Sequence, residues 1–154
     1  MTGTTRMPAR GSATLAVDIG GANTKAAWLS GTSLRTGSRP FEVWRDRQAL
    51  SAVLGAVAAE VAGGPAHAVA ITMTAELSDA FRTKREGVAF VLDAAEDALG
   101  DRALSVLTTA GELISTGAAR ARSRSGATAT RSPRSCTRSP PRSQVVRHTP
   151  RRSR

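Results

Sequence analysis

The chain is predicted to fold as an α/β domain, and three observations carry that expectation. Short apolar runs rich in β-branched residues alternate with two stretches of helical periodicity. The first two runs, residues 13–19 and 24–29, are separated only by Gly20-Gly21-Ala22-Asn23, the spacing of a hairpin. Each helical stretch ends on a glycine signal, Gly63-Gly64-Pro65 after the first and Gly100 after the second.

The elements follow in order. Residues 13–19 are mostly apolar, as a strand covered on both faces would be. Residues 24–29 form the second strand, and residues 33–35 a short third one. Residues 40–44 read as a further strand, which Pro40 assigns to the sheet edge. Asp46 opens a helix whose apolar face is Leu50, Val53, Leu54, Val57 and Val61. Residues 66–73 form a buried strand with β-branched Val69, Ile71 and Thr72. Residues 74–82 are polar and irregular. A second amphipathic helix covers residues 84–99, with Val88, Val91, Leu92, Ala95 and Leu99 on one face. Residues 103–107 make the last strand, and residues 108–117 return to small and polar types.

Charge divides the chain in two. The formal net charge is +10, yet the first 117 residues hold 11 Lys and Arg against 12 Asp and Glu. Residues 118–154 hold 11 Arg and no acid. The body is therefore near neutral, and the overall basicity says nothing of its partners. The single cysteine, Cys136, excludes an intrachain disulfide and a cysteine metal site. Residues 1–12 are polar, lack a signal-peptide core and are expected to fray; no apolar run reaches the length of a membrane span. A soluble cytoplasmic protein without membrane partners is the expectation.

The stretch with chemical content is Val17-Asp18-Ile19-Gly20-Gly21-Ala22-Asn23-Thr24-Lys25. A phosphate needs converging donors without steric bulk. Gly20 and Gly21 allow a sharp turn with N–H groups aimed at an anion, and Asn23 and Thr24 can add side-chain donors; Lys25 can add a charge unless alternation along the second strand points it elsewhere. Asp18 closes the first strand, where a carboxylate can hold Mg²⁺ through water. No Gly-Lys-Ser/Thr follows, so this is not a P-loop, and the third glycine of a dinucleotide fingerprint is missing. A plain hairpin with an incidental aspartate fits the spacing equally. A second polar group, Thr72, Thr74, Glu76 and Asp79, follows the buried strand at its carboxyl end, where α/β folds place ligands. Glu76 and Asp79 could bind metal or act as acid and base there, and a solvated strand-to-helix loop fits the residues as well; only the family resemblance described below singles out Glu76 and Thr74 as the catalytic candidates. Asp79 and Lys84 remain open between a site and a solvated loop, and Trp28 and Trp44 read as packing residues.

The glycine stretch resembles the first phosphate motif of the sugar kinase/actin/heat-shock-70 superfamily. Residues 40–44 (Pro-Phe-Glu-Val-Trp), 70–79 and 83–88 extend the likeness to its hydantoinase/oxoprolinase-like branch, specifically that of the tetrahydromethanopterin-linked one-carbon pathway. The four ordered matches extend over about 100 residues, within residues 13–117, and the resemblance implies the N-terminal part of a ribonuclease-H-like, actin-like ATPase domain. A phosphorylated small molecule, either ATP or a diphosphate substrate, would lie at the hairpin. Asp18 would bind Mg²⁺ or orient phosphate, and Gly20, Gly21, Asn23 and Thr24 would cradle it. Members of this branch in methanofuran biosynthesis condense an aminomethylfuran diphosphate with the phenol of γ-glutamyltyramine and release diphosphate. The superfamily closes its cleft with a second domain, so a chain without one is expected to be an inactive, truncated fragment.

Residues 118–154 have no Leu, Ile, Phe, Trp or Met and carry four of the seven prolines. Such a segment cannot bury enough apolar surface to order itself and is expected to be disordered. Its Arg/Ala/Ser/Pro/Thr mixture reads as out-of-frame translation of a GC-rich gene. The alternative is a small α/β binding domain with a basic nucleic-acid arm, binding in a salt-sensitive, unspecific way.

Overall fold

The computed structural model describes residues 12–124. Strands β1 (Thr14–Ile19), β2 (Asn23–Ser30) and β3 (Ser33–Pro40) come first, followed by helix α1 (Leu50–Val61) and strand β4 (Ala68–Met73). Helix α2 (Lys84–Leu99), strands β5 (Ala103–Leu107) and β6 (Leu113–Ser115), and helix α3 (Thr116–Arg124) complete the described chain. The six strands form one mixed sheet in the order β3-β2-β1-β4-β5-β6. β1, β2 and β3 form an antiparallel meander, and β4 and β5 run parallel to β1. Parallel neighbours cannot be joined by a tight turn, so α1 and α2 serve as the crossovers.

Burial alternates along the central strands. Leu15, Val17 and Ile19 of β1, Thr24, Ala26 and Trp28 of β2, and Val69, Ile71 and Met73 of β4 are buried. They pack against Leu50, Leu54, Val57 and Val61 of α1 and Val91, Leu92, Ala95 and Leu99 of α2. The intervening residues, Ala16, Asp18, Lys25, Ala27, Ala70 and Thr72, are partly or fully exposed on the opposite face. The first strand is thus covered on one face only. Its apolar character comes from large residues on that face and alanine on the other.

Trp28 is the packing residue it was expected to be. Its ring closes on Gly63, where an added Cβ would lie 2.6 Å from the indole. The face expected for α2 is buried throughout, and the helix spans the expected residues. Its start is fixed by Thr83, whose hydroxyl accepts from the Glu86 N–H at 3.1 Å, while the Glu86 carboxylate accepts from the Arg82 N–H at 3.1 Å. This is a capping-box arrangement shifted by one backbone donor. At its end an added Cβ on Gly100 would lie 2.2 Å from the Glu96 carbonyl oxygen, so a side chain there would collide with the last turn.

Four expectations need correction. Residues 41–44 are not a strand: the Phe41 N–H donates to the Ala22 carbonyl and the Val43 N–H to the Gly21 carbonyl, which ties the segment to the hairpin turn. β3 runs to Pro40 rather than stopping at Arg35, because its exposed residues are paired with β2 along their whole length. A 3-10 turn over Arg47–Ala49 precedes α1, so the helix begins at Leu50, not at Asp46. Finally, residues 113–124 are ordered. β6 pairs with β5 across a loop closed by the Thr108 N–H on the Glu112 carbonyl at 2.8 Å, with Gly111 at φ 84°. In α3, Ala119 is buried and Arg120 forms ion pairs with Asp93 and Glu96 of α2, each at 2.8 Å. The expectation of disorder from residue 118 therefore fails over 118–124. The rest of that tail, including the proposed nucleic-acid arm, and residues 1–11 lie outside the described residues. No helix among the described residues is long and apolar enough to cross a membrane.

Candidate functional site

The hairpin turn is shaped by its first glycine. The Gly20 N–H donates to the Asn23 carbonyl at 2.9 Å, and an added Cβ on Gly20 would lie 2.6 Å from that same oxygen. Any side chain there would force the turn open. Gly21 is different, because nothing lies within 4 Å of the Cβ it lacks. Its outer side is open space that a ligand can approach. The carbonyls of Gly21 and Ala22 accept from the Val43 and Phe41 N–H groups, which ties residues 41–43 to the turn.

The carboxyl end of β4 is fixed to the same place. The Thr74 N–H donates to the Ile19 carbonyl at 2.9 Å, which carries the β1–β4 ladder one step past the strands. A 3-10 turn over Ala75–Leu77 then folds beneath α2. Gly87 of α2 makes this approach feasible: an added Cβ would lie 2.4 Å from the Glu76 carbonyl oxygen. The Glu76 side chain is fully buried, with Lys84 at 3.8 Å as its ion-pair partner. A lone buried carboxylate is costly, and the lysine at the first position of α2 compensates it.

Three environments receive the predicted site residues. The first is a cavity of about 280 Å³ lined by Gly21, Trp44, Thr74, Leu77, Ser78 and Asp79. It joins the glycine turn to the polar group after β4, two stretches some fifty residues apart in the chain. The second is an open depression of about 650 Å³ on the uncovered sheet face, lined in part by Asp18, Lys25, Ser38 and Thr72. Here Thr72 Oγ1 donates to Asp18 Oδ1 at 2.9 Å, and Lys25 is the cross-strand partner of Asp18. The third is the covered interior, which takes Thr24 and Glu76, 0% and 1% exposed. Thr24 Oγ1 has no hydrogen-bond partner among the described residues. Asn23 is exposed at the start of β2.

The geometry therefore separates residues that the sequence places together. Gly21 and Thr74 face a common cavity. Asp18 and Lys25 face the neighbouring open side of the sheet. The side chains of Thr24 and Glu76 face inward and are closed off from a ligand at the surface. No group of three or more His, Cys, Asp or Glu residues suited to a metal occurs among the described residues.

Two wall residues escaped the sequence reading. Trp44, expected to pack internally, is 48% exposed, and Leu77 is 61% exposed. The available signal was position: Trp44 is followed by Arg45 and Asp46, and Leu77 lies between Glu76 and Ser78, neither in a periodic apolar pattern.

Comparison with known proteins places this arrangement in context. No family model matches the chain. Over 84 residues, 54% of this chain, it is 37% identical to the (4-{4-[2-(gamma-L-glutamylamino)ethyl]phenoxymethyl}furan-2-yl)methanamine synthase of Methanocaldococcus jannaschii. The match covers 24% of that enzyme, so the similarity is partial and spans about a quarter of the relative's length.

Proposed function

We propose that this chain carries the phosphate-binding N-terminal part of a transferase of the hydantoinase/oxoprolinase type. Its reaction joins an aminomethylfuran diphosphate to a phenol and releases diphosphate. The partial similarity to the methanamine synthase supports the reaction class. The observation that carries the reading is the meeting of the glycine turn with the end of β4 at one cavity.

The diphosphate is bound by the exposed backbone of residues 20–23, where Gly21 leaves room for close approach. Lys25 supplies positive charge from the adjoining face. Asp18, held by the Thr72 hydroxyl, is suited to a Mg²⁺ ion that arrives with the phosphates and keeps most of its water. A single carboxylate beside a lysine makes a weak site for the metal alone, which agrees with a metal delivered as a phosphate complex. Thr24 contributes backbone only. Glu76 acts indirectly: through Lys84 and Gly87 it fixes the turn that bears Thr74, and Thr74 is the side chain of that pair able to touch substrate. Turnover is assigned to a protein of the relative's length.

The test is a titration of the full 154-residue chain with inorganic diphosphate and Mg²⁺, followed by backbone amide NMR. Saturable shifts at residues 20–24 are expected. Asp18→Asn should weaken the Mg²⁺-dependent affinity about tenfold, the scale of one charge-assisted interaction. Saturation without shifts at residues 20–24 would overturn the assignment.

A further inference from the structure

The walls of the cavity beside the glycine turn come from two segments that lie far apart in the chain. Trp44 belongs to the stretch between β3 and the 3-10 turn before α1, and Leu77, Ser78 and Asp79 to the stretch between β4 and α2. Each segment is anchored near the turn by backbone: the Val43 N–H donates to the Gly21 carbonyl, and the Thr74 N–H to the Ile19 carbonyl. Beyond those anchors, among the described residues, no backbone hydrogen bond joins residues 44–47 to residues 77–82. The separation of the two walls is therefore left to side chains.

Arg47 spans that separation. It follows Trp44 by three residues and does not itself line the cavity. Its Nη1 donates to the carbonyl of Ala80, the residue after Asp79, at 3.1 Å, and pairs with Glu86 at 3.4 Å. Its guanidinium carbon lies 5.8 Å from the centroid of the Phe81 ring and 5.5 Å from that of Phe90, and the two rings are 5.4 Å apart. The planar cation thus sits against an aromatic pair. The wall it grips is tightly folded: the Ser78 carbonyl accepts from the Phe81 N–H at 3.1 Å, and the Ser78 hydroxyl from the Ala80 N–H at 3.3 Å. Holding Ala80 therefore holds Ser78 and Asp79.

We propose that Arg47 is a positioning residue of this site, a strut that keeps the Ser78–Asp79 wall at a fixed distance from Trp44. Charge alone does not supply this. The bond to a neutral carbonyl needs a directed donor, and the seat against two rings needs a flat cation, neither of which lysine reproduces. The ion pair with Glu86 is half exposed on both sides and contributes little by itself. With the strut in place the cavity keeps its width before any ligand arrives, so binding does not have to order its walls. The inference rests on the function proposed above only in treating the cavity as part of a site.

The test compares the full chain with Arg47→Lys, Arg47→Ala and Glu86→Gln, without ligand. The readouts are amide hydrogen exchange and the indole N–H resonances of the two tryptophans. Arg47→Lys should speed exchange at Ser78 and Phe81 about tenfold relative to Val91, which is buried in α2. It should also shift the Trp44 indole and leave that of the buried Trp28 unmoved. Arg47→Ala should give the same pattern, more strongly. Glu86→Gln keeps an acceptor for the Arg82 N–H and leaves the Ala80 bond in place, so it should change these rates by less than about twofold. The Arg47 side chain is 42% exposed, so the variants should keep the fold, which circular dichroism checks. An arginine that served stability alone would speed Val91 in step with Ser78 and Phe81. That uniform acceleration, full rescue by Arg47→Lys, or an unchanged wall in Arg47→Ala would each overturn the proposal. The phosphate reading fails separately, by the absence of diphosphate shifts at residues 20–24 in the unaltered chain, and the comparison of Arg47 variants does not depend on it.

Discussion

The two faces of the sheet are built from the same strands and behave as two different materials. On one face Leu15, Val17, Ile19, Ala26, Val69, Ile71 and Met73 are buried beneath α1 and α2. On the other, Ala16, Ala27 and Ala70 form a shallow apolar floor that ends at Asp18, Lys25 and Thr72. Neighbouring residues in the chain thus differ in what they do. The covered face supplies stability, and the open face carries polar and charged groups at the end where the glycine turn lies. Substitutions at adjacent positions can test that division directly.

The largest contrast is expected between Ile71 and Thr72. Ile71 is fully buried, so Ile71→Ala should destabilise the protein by about 2–5 kcal/mol through lost burial and an unfilled cavity. Thr72→Ala removes the hydrogen bond to Asp18 on the open side and should cost about 0.5–1.5 kcal/mol. Urea unfolding of the two variants measures both. Similar losses would show that the open face is as deeply packed as the covered one.

The same contrast recurs with one residue type. Ala26 is 4% exposed and faces the helices, while Ala27 faces the open side. Ala26→Leu should overpack the core at a cost of about 1–3 kcal/mol. Ala27→Leu should stay within about 0.5 kcal/mol of the unaltered chain, as a surface substitution does. If Ala27→Leu proves the more damaging in thermal unfolding, the open face is in close contact with something in solution.

These pairs also explain how far the sequence could be read. Large apolar residues at regular spacing announced β1, β2, β4, α1 and α2, and the boundaries of α2 and β5 are those expected. What failed was the inference from alanine. Ala16 and Ala70 count as apolar, so β1 looked covered on both faces, but alanine tolerates water and reveals little about which side is packed. The far half of β3, with Thr36, Gly37, Ser38 and Arg39, has no alternation because it is an exposed edge held by backbone pairing. β6 and α3 were invisible for a related reason. β6 is held by backbone pairing with β5, and α3 by Arg120, which reaches the acids of α2, and by the buried Ala119, rather than by an apolar stripe.

The sequence located the candidate residues along the chain but not the side each one faces. Gly20 and Gly21 lie in the turn between β1 and β2, Asp18 lies near the carboxyl end of β1, and Thr74 follows β4. Alternation along β2, however, sends Lys25 to the open face and Thr24 into the interior. Glu76 reads in the sequence as a candidate catalytic acid in a polar segment after a strand, and only the close approach of α2 at Gly87 shows why it is enclosed. Trp44 was misjudged because a tryptophan is usually packed, and nothing local says that residues 41–44 run along a turn instead of joining the sheet.

The smallest effect bears on how the covered layer fixes the open one. The Thr83 hydroxyl caps α2, and the first turn of that helix places Lys84 on Glu76. Thr83→Ala should cost about 1 kcal/mol, the usual value of an N-cap. If α2 only supplies burial, that loss should appear in urea unfolding with no local change at the cavity. If α2 also positions the segment after β4, the amide resonances of residues 74–79 should shift as well. The second outcome is expected, because Gly87 brings α2 into direct contact with the Glu76 backbone, leaving no slack between the helix and the turn that bears Thr74. Unmoved resonances at 74–79 would mean that the Ile19–Thr74 backbone bond alone holds the site, and that the two faces are mechanically independent.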